Sequence, residues 1–418
     1  MNDINQSNFL EIGTVRHLRT EQDALNVAKE VAKDIEKYAK DSAHNKSLPY
    51  IQAKLISESG LTSISVPKEH GGLGASILTI VNVVRIISAA DAGVGQLLQI
   101  HFTMFRGILT GYSDQIRDRL LTDILAGKRL GNALAEVGGK NKFEHKTRAV
   151  RNEAGQLILN GSKFYSTGSF LAEWISLFAT TEDGPLSVLL HRDTPGLELV
   201  DDWDAIGQNN SVSGTVNFNN IVIDERFVAK RSDTPALRTG LTWPQILHAA
   251  MDTGIASGAL QAGIEYLKEN ARPWVESGVN EAAHEPHIIK EIGEYAVLVR
   301  SAEALLDRSA VIFEQHNQDL YNEELQTELI LSVAATRAQS DKASLKISSE
   351  IFALLGASST LSKWNLDRFW RNARTHTTHD PIRWRLYHVG NYYINNIPPG
   401  EYNSVLLKKQ AERVTKIK

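Results

Sequence analysis

Two histidines lie close together near the end of the chain, followed by a carboxylate and a proline. They are His376 and His379 in the stretch RTHTTHDP, which ends with Asp380 and Pro381. If the segment is helical, a spacing of three places both imidazoles on one face of the helix. Imidazole titrates at a pKa of about 6.5, so the pair can bind a metal ion, pass a proton, or lie on a solvated turn.

Common catalytic motifs do not decide between these alternatives. The chain has no cysteine and no HExxH motif, and His388 is the only other histidine close by in sequence, so a metal site is disfavoured. No GxGxxG after a strand, Walker loop or GxSxG is present, which argues against a nicotinamide dehydrogenase or a triad hydrolase. The glycine-rich stretch 71–74 is either a loop between helices or a weak phosphate-binding signal.

Composition sets the broad class of protein. A chain of 418 residues is expected to form about two or three packed units. The net charge of −4 disfavours nucleic acid and anionic membranes as partners, and no apolar run reaches the roughly 18 to 20 residues of a membrane span. The absence of cysteine suits a reducing compartment, and the N-terminus lacks a secretory signal. We therefore expect a cytoplasmic protein.

Hydrophobic periodicity divides the chain into three parts. Thr20 and Asp23 resemble a helix N-cap pair, and the apolar stretch 77–109 predicts a buried helix. From about Asn132, six short strand-like runs are separated by turns, including Asn160-Gly161, which favours a small barrel or sandwich. After Pro244, three long helical patterns joined by short polar connections predict an antiparallel bundle.

Several local motifs resemble the acyl-CoA dehydrogenase superfamily over essentially the whole chain. They are SVPKEHGGLGAS, GNALAEVGGKN, NGSKFYSTGS and RNARTHTTHDP. Other motifs are more similar to the flavin monooxygenase branch, which includes sulfur-acquisition oxidoreductases of sulfone-utilising bacteria and dibenzothiophene monooxygenase. These motifs are FYSTGS, VDDWDAIGQ, ILHAAMDTGIA, ARPWVESGV, RTHTTHDP and VGNYYIN.

The resemblance implies a mainly α fold with a central β-domain. We expect an N-terminal α-helical domain over residues 1–130, a β-barrel or sandwich domain over 131–236, and a C-terminal four-helix bundle over 237–418. It implies a homotetramer with a flavin between the β-domain and the bundle. FMN is favoured, although Ser358 and Asn209 stand where relatives carry arginines, which leaves FAD open.

The activity implied is that of a two-component flavin-dependent monooxygenase. Reduced flavin would come from a separate flavin reductase, because no nicotinamide motif is visible. It would react with O2 at C4a, and the resulting hydroperoxide would oxygenate a small organosulfur or heteroaromatic substrate. The sequence does not identify that substrate.

The resemblance also assigns residues to the flavin. Thr167 matches a residue that reaches flavin N5 from a β-strand, and Asn132 matches one near the pyrimidine edge. Trp203 would cover the flavin or the substrate. Arg272 would bind the flavin phosphate of a neighbouring subunit, since a guanidinium binds phosphate through two hydrogen bonds. The alternatives are a surface hydroxyl, a strand-end cap, a core tryptophan and a surface arginine.

The histidines have implied roles as well. His379 matches a histidine near the oxygen adduct, where it can give and retake a proton. His376 would support the loop or contact a phosphate. His101 would be catalytic and face the substrate cavity, with Phe105 one helical turn further on the same face. A lone histidine in an apolar helix is otherwise a core residue.

Two other functions remain to be weighed. One is an acyl-CoA dehydrogenase with Asp380 at the position of the family's catalytic glutamate. Against it, aspartate is one methylene shorter, and Pro381 replaces the glycine that follows in the family. The other is a non-catalytic flavin-binding or DNA-binding member, which the charge of −4 and the presence of His101, Thr167 and His379 disfavour.

Overall fold

The fold is that of a computed structural model, which describes residues 11–41, 47–138, 146–229 and 242–399. The α-helices are α1 (Glu21–Asp41), α2 (Tyr50–Glu58), α3 (Ile77–Ala90), α4 (Ala92–Gly111), α5 (Asp114–Leu125), α6 (Thr242–Asn270), α7 (Pro286–Gln318), α8 (Glu323–Glu350), α9 (Phe352–Leu355), α10 (Asp367–His376) and α11 (Ile382–Asn395). The strands are β1 (Leu130–Ala133), β2 (Arg148–Arg151), β3 (Leu157–Lys163), β4 (Trp174–Thr181), β5 (Gly184–His191), β6 (Leu197–Val200) and β7 (Thr215–Val222). The predicted mainly α fold with a central β-domain is confirmed.

The first helix begins with the predicted cap. The amide of Asp23 donates to Thr20 Oγ1 over 3.0 Å, and the amide of Thr20 donates to Asp23 Oδ2 over 3.0 Å. This reciprocal pair satisfies amides that have no partner within the helix. The apolar face of α1 packs on α3, and α3 packs on α6, so the N-terminal helices share a core with the bundle.

The prediction of one helix over 77–109 is wrong, because the stretch forms two helices. α3 ends at Ala90, and Asp91 adopts extended backbone with φ −151°. The Asp91 carboxylate accepts from the amides of Gly93 and Val94, at 2.8 and 3.2 Å, and thereby starts α4. Its second oxygen accepts from Asn210 Nδ2 over 2.7 Å, which links α4 to the β-domain. The apolar pattern of residues 77–109 gave no indication of this cap at Asp91.

The central domain is a seven-stranded sheet with the order β1-β4-β2-β3-β7-β6, and β5 pairs with β4. The six expected strands are present, and β1 is an addition. β1 is short and pairs in parallel with the distant β4, with Asn132 opposite Ser176. The pairing with β4, and not the sequence pattern, defines β1 as a strand.

The predicted turn at Asn160-Gly161 is wrong. Both residues lie inside β3, where the register against β7 shifts between Leu159 and Gly161. Gly161 has φ 146°, and a Cβ there would lie 2.6 Å from Thr147 Oγ1. The glycine therefore permits a bulge and a close approach to β2, which is a second common use of glycine in strands.

The C-terminal bundle consists of α6, α7 and α8, with α11 against α8 and the shorter α10 across α6 and α8. Its core includes Ile255, Ala302 and Ile347. The expected limit between residues 236 and 237 lies outside the described residues, and the domain limits stay a prediction. Within the described residues, no helix is long and apolar enough to cross a membrane.

Candidate functional site

The two histidines of the RTHTTHDP stretch do not share a helical face. α10 ends at His376, and His379 lies on the turn that follows, its amide donating to the His376 carbonyl over 3.1 Å. The next helix, α11, begins only after Pro381, and proline disfavours helical backbone at the residue before it. As a result the side chain of His376 is buried, whereas that of His379 is 53% exposed.

His376 belongs to a buried chain of polar side chains. Its Nδ1 lies 2.6 Å from Asp252 Oδ1, and its Nε2 lies 2.8 Å from His248 Nδ1. Arg337 Nη1 donates to the other Asp252 oxygen over 2.5 Å. Burial acts to raise the pKa of Asp252, but the charges and hydrogen bonds of His376 and Arg337 outweigh it, so the pKa lies below its usual value.

The sequence analysis missed His248, Asp252 and Arg337. A signal existed in ILHAAMDTGIA, where a histidine and an aspartate four residues apart share one face of an otherwise apolar helix. Polar groups on a buried face are expected to be hydrogen-bonded to one another. Arg337 gave no such signal, because α8 carries charged residues along much of its length.

His379 and Asp380 form the accessible end of this cluster. The His379 ring packs on His248, with ring centroids 4.6 Å apart. Asp380 Oδ2 accepts from Gln245 Nε2 over 2.6 Å, and it lies 3.4 Å from His379 Nδ1 and 3.6 Å from Arg385 Nη2. Burial acts to raise the pKa of Asp380, but hydrogen bonds from His379 and Gln245 and the histidine charges outweigh it, so the pKa lies well below its usual value.

The cluster is internally hydrogen-bonded and is not arranged around a cation. Among the residues that the structure describes, no group of three or more histidine, aspartate or glutamate side chains is placed to hold a metal ion. The carboxylates instead bind arginine, glutamine and imidazole donors. This arrangement suits holding and moving a proton.

A second polar surface lies in the β-domain, around Thr167. Thr167 follows β3 on a turn, so its expected position on a strand is wrong. Its carbonyl accepts from the Asn132 amide over 3.2 Å, and its Oγ1 lies 2.9 Å from Ser213 Oγ. Asn132 Oδ1 and Ser166 Oγ are buried and have no partner within the described residues. Unsatisfied polar atoms beside Thr167 fit the polar edge of a flavin ring, because buried polar groups are normally paired.

Trp203 belongs to an aromatic cluster in the same domain. Its ring centroid lies 6.2 Å from Phe164 and 6.0 Å from Tyr165. Tyr165 has φ 66° and is half exposed, an uncommon conformation for an aromatic residue outside functional sites. Tyr165 was not among the expected site residues, although the aromatic pair in NGSKFYSTGS was a signal for it.

The loop after Trp203 joins the β-domain surface to the bundle. Trp203 Nε1 donates to the Gln208 carbonyl over 3.0 Å, and the Gln208 amide donates to Asn372 Oδ1 over 2.7 Å. A Cβ on Gly207 would lie 2.1 Å from the Arg371 carbonyl oxygen, so only glycine fits there. Because α10 ends at His376, this contact brings the aromatic cluster and the histidine cluster to neighbouring parts of one helix.

His101 and Phe105 have the contacts of core residues. His101 is fully buried, its Nε2 donates to the Thr62 carbonyl over 2.9 Å, and its Nδ1 accepts from the Leu130 amide over 3.2 Å. Burial lowers the pKa of His101 to about 4, so the ring is neutral at neutral pH. Phe105 packs in an apolar cluster with Leu130 and Ile108. The catalytic role of His101 and the pocket role of Phe105 stay predictions.

Arg272 lies apart from the other expected site residues. It follows the end of α6 at Asn270 and is exposed. Within the described residues, Arg272 makes no hydrogen bond or ion pair. Ser358, where an arginine was expected, lies with its Oγ 2.8 Å from the Tyr266 hydroxyl.

A helical domain, a curled sheet with a polar surface around Thr167, and a helical bundle with a buried polar cluster define the class of acyl-CoA dehydrogenase-type flavoproteins. The family profiles agree: the acyl-CoA dehydrogenase N-terminal domain matches residues 20–128, and the acyl-CoA dehydrogenase C-terminal domain matches residues 246–384. The chain belongs to the acyl-CoA dehydrogenase family.

Relatives within the family place the chain among monooxygenases. It is 33% identical to dibenzothiophene monooxygenase of Rhodococcus erythropolis, over 82% of this chain and 86% of that protein. It is 25% identical to the probable FMNH2-dependent monooxygenase SfnC of Pseudomonas putida, over 90% of this chain and 96% of that protein. The solved structure of TdsC from Paenibacillus sp. A11-2 with FMN and indole superposes with a TM-score of 0.84 at 27% identity, covering 90% of this chain and 98% of TdsC.

Proposed function

We infer that this chain is a flavin-dependent monooxygenase that uses reduced FMN and O2 to oxygenate a small molecule. The inference rests on the contacts and exposure of Asp380 and His379, the two residues on the turn after α10. Asp380, the candidate base of a dehydrogenase, is held by Gln245 and flanked by His379 and Arg385. His379 is half exposed and backed by a buried polar chain, as a proton-handling residue requires.

The residues of the site fit FMN. Asn132 and Thr167 would contact the ring system, and the aromatic cluster around Trp203 would cover it. Arg272 would bind the phosphate. When bound, reduced FMN supplies two electrons for the activation of O2, so that one oxygen atom enters the substrate and the other leaves as water. His376 is buried against Asp252 and His248, so we propose that it acts through His248 and not by direct contact with the cofactor.

The chain's own residues would then manage protons and water. His379 gives and retakes a proton at the mouth of the site, and Asp380 orients its ring from 3.4 Å away. Trp203 and Tyr165 exclude water by covering the polar surface around Thr167. Water exclusion matters because it prevents wasteful release of hydrogen peroxide.

We propose a small organosulfur compound or heteroaromatic as the substrate and a separate reductase as the source of reduced flavin. The monooxygenases of sulfur compounds among the relatives and the indole in the TdsC complex support this class. The absence of a nicotinamide motif supports the separate reductase. We place the protein in the cytoplasm, in keeping with the absence of cysteine.

We also propose a homotetramer. The support comes from α11, which has no buried residue and exposes the apolar side chains Trp384, Leu386, Tyr387, Tyr393 and Ile394. A contiguous exposed apolar face on a helix is typical of an interface. A second copy of the chain would cover it and complete the flavin site through Arg272.

The variant Asp380→Asn distinguishes a monooxygenase function from a dehydrogenase function. We expect it to retain oxygenase activity within about tenfold of wild type, since loss of a general base would cost about 10²–10⁴-fold. The measurement supplies reduced FMN, 18O2 and indole or dibenzothiophene, and follows the oxygenated product by mass. Wild type should also fail to reduce bound flavin with any short- or medium-chain acyl-CoA under anaerobic conditions. Flavin bleaching by an acyl-CoA, abolished in Asp380→Asn, would establish the dehydrogenase instead.

The variant Arg272→Ala tests the shared flavin site. We expect it to weaken binding of FMN by at least about 1.5 kcal/mol, because a charged hydrogen bond to phosphate is lost. Titration of flavin fluorescence measures the dissociation constant, and light scattering measures the mass of the assembly. Arg151→Ala is the control, as Arg151 is an exposed arginine of the β-domain paired with Glu225. Normal FMN binding by Arg272→Ala would show that Arg272 is a surface residue that does not bind the FMN phosphate.

A further inference from the structure

Behind His379, buried polar side chains are hydrogen-bonded to one another in a row. The row runs from Arg337 on α8 to Asp252 on α6, then to His376 at the end of α10, and returns to His248 on α6. The side chains of Asp252 and His376 are at most 1% exposed, and His248 is 4% exposed. His379, half exposed, packs on the His248 ring and is the end that solvent reaches.

The hydrogen-bond partners determine which ring nitrogens of His376 and His248 carry a hydrogen. Arg337 and His376 lower the pKa of Asp252, so at neutral pH its carboxylate is ionised and can only accept. His376 must therefore carry its hydrogen on Nδ1, and a neutral His376 then has a lone pair on Nε2. His248 must in turn donate from Nδ1, which leaves its own Nε2 as a lone pair. One arrangement of hydrogens satisfies every contact when both rings are neutral.

The charged groups around the pair favour one resting place for an added proton. Arg337 faces it from α8, and His379 and Asp380 face it from the turn between α10 and α11. Further out, Asp341 interacts with Asp252, Arg337 and Arg374, and Arg385 interacts with Asp380 and Arg337. Burial lowers the pKa of His248 well below its usual value, and the charges of His379, His376 and Arg337 lower it further. His376 instead touches the Asp252 carboxylate, which stabilises an imidazolium.

We propose that His248 and His376 form a two-histidine proton relay behind His379, with Asp252 as the positioning residue that sets its direction. This rests on the proposed monooxygenase function, in which His379 exchanges protons at the site. When a proton binds to His248 Nε2, the Nδ1–H bond of His248 breaks and that hydrogen forms a bond to His376 Nε2 across the 2.8 Å contact. The product is an imidazolium at His376 beside ionised Asp252, and the reverse transfer returns the proton. No electrons move.

The first test observes the hydrogens directly in the cofactor-free protein. Side-chain 15N-histidine NMR of wild type should show His248 and His376 both as Nδ1–H tautomers near neutral pH. On acidification, His376 should become the imidazolium before His248. An Nε2–H tautomer at either residue near neutral pH, or an imidazolium that forms first at His248 on acidification, would overturn the relay. This measurement does not depend on oxygenase activity, so it judges the relay even if the proposed function fails.

The second test breaks the relay and keeps its hydrogen bond. In His248→Asn the amide Nδ2 can still donate to His376 Nε2, but an amide cannot pass a proton on. We expect the Kd for reduced FMN to stay within about twofold of wild type and kcat to fall at least about tenfold at pH 8, with a smaller loss at pH 6, where solvent supplies protons. His316→Asn is the control, because His316 is a buried histidine of the bundle with no hydrogen-bond partner in the described part of the chain. A pH profile of kcat for His248→Asn that parallels wild type would contradict the proposal.

Discussion

Replacing His379 by alanine should uncouple oxygen consumption from substrate oxygenation. His379 is the half-exposed imidazole at the mouth of the histidine cluster, and its ring packs on His248 at 4.6 Å. Loss of a positioned proton donor costs about 10²–10⁴-fold in a proton-dependent step. We therefore expect product formation to fall by about that factor, while reduced FMN is still reoxidised by O2 and released hydrogen peroxide rises towards one per flavin.

The measurement compares oxygenated product, O2 consumed and peroxide released in the same reaction. His287→Ala is a matched control, since His287 is an exposed histidine at the start of α7, away from the cluster. It should keep the wild-type ratio of product to O2. An unchanged ratio in His379→Ala would remove His379 from the mechanism.

Replacing Asp252 by alanine should destabilise the bundle more than any surface change. Asp252 is the acceptor for both Arg337 and His376, and both side chains are buried. Arg337 Nε and Nη2 already lack partners within the described residues, so the variant leaves a buried guanidinium without its acceptor. Removing one partner of a buried ion pair costs about 3–5 kcal/mol, and we expect a loss of that size in the free energy of unfolding.

Urea denaturation followed by circular dichroism measures this loss. The control is Glu303→Ala, which removes the partner of Arg85 from a partly exposed pair at 2.6 Å between α7 and α3. An exposed pair contributes about 1 kcal/mol or less, so the control should change stability little. Equal, small effects of the two substitutions would show that Arg337 finds another acceptor and that Asp252 is dispensable for folding.

Much of the fold followed from local sequence. The Thr20 and Asp23 cap, the six predicted strands and the three long helices of the bundle are set by capping chemistry and by hydrophobic periodicity. The motif resemblance supplied the family and the order of the domains. It also marked His376 and His379 as functional candidates, because motifs preserve residue types at fixed spacing.

Other features depended on contacts between distant segments. Asp91 divides an apolar stretch because its carboxylate caps α4 and binds Asn210 of the β-domain. Gly161 continues β3 as a bulge because Thr147, the residue before β2, lies against it. In both cases the local pattern allowed two structures, and packing selected one.

The sequence alone determined which residue types the site contains, and the tertiary structure decided what surrounds each of them. His101 and His379 are the same residue type, yet His101 is buried between backbone groups of Thr62 and Leu130, and His379 is half exposed. His376 acquires its direction from Asp252, which lies 124 residues earlier in the chain. The charge state and tautomer of an imidazole are set by burial and by its hydrogen-bond partners, and these exist only once the helices have packed.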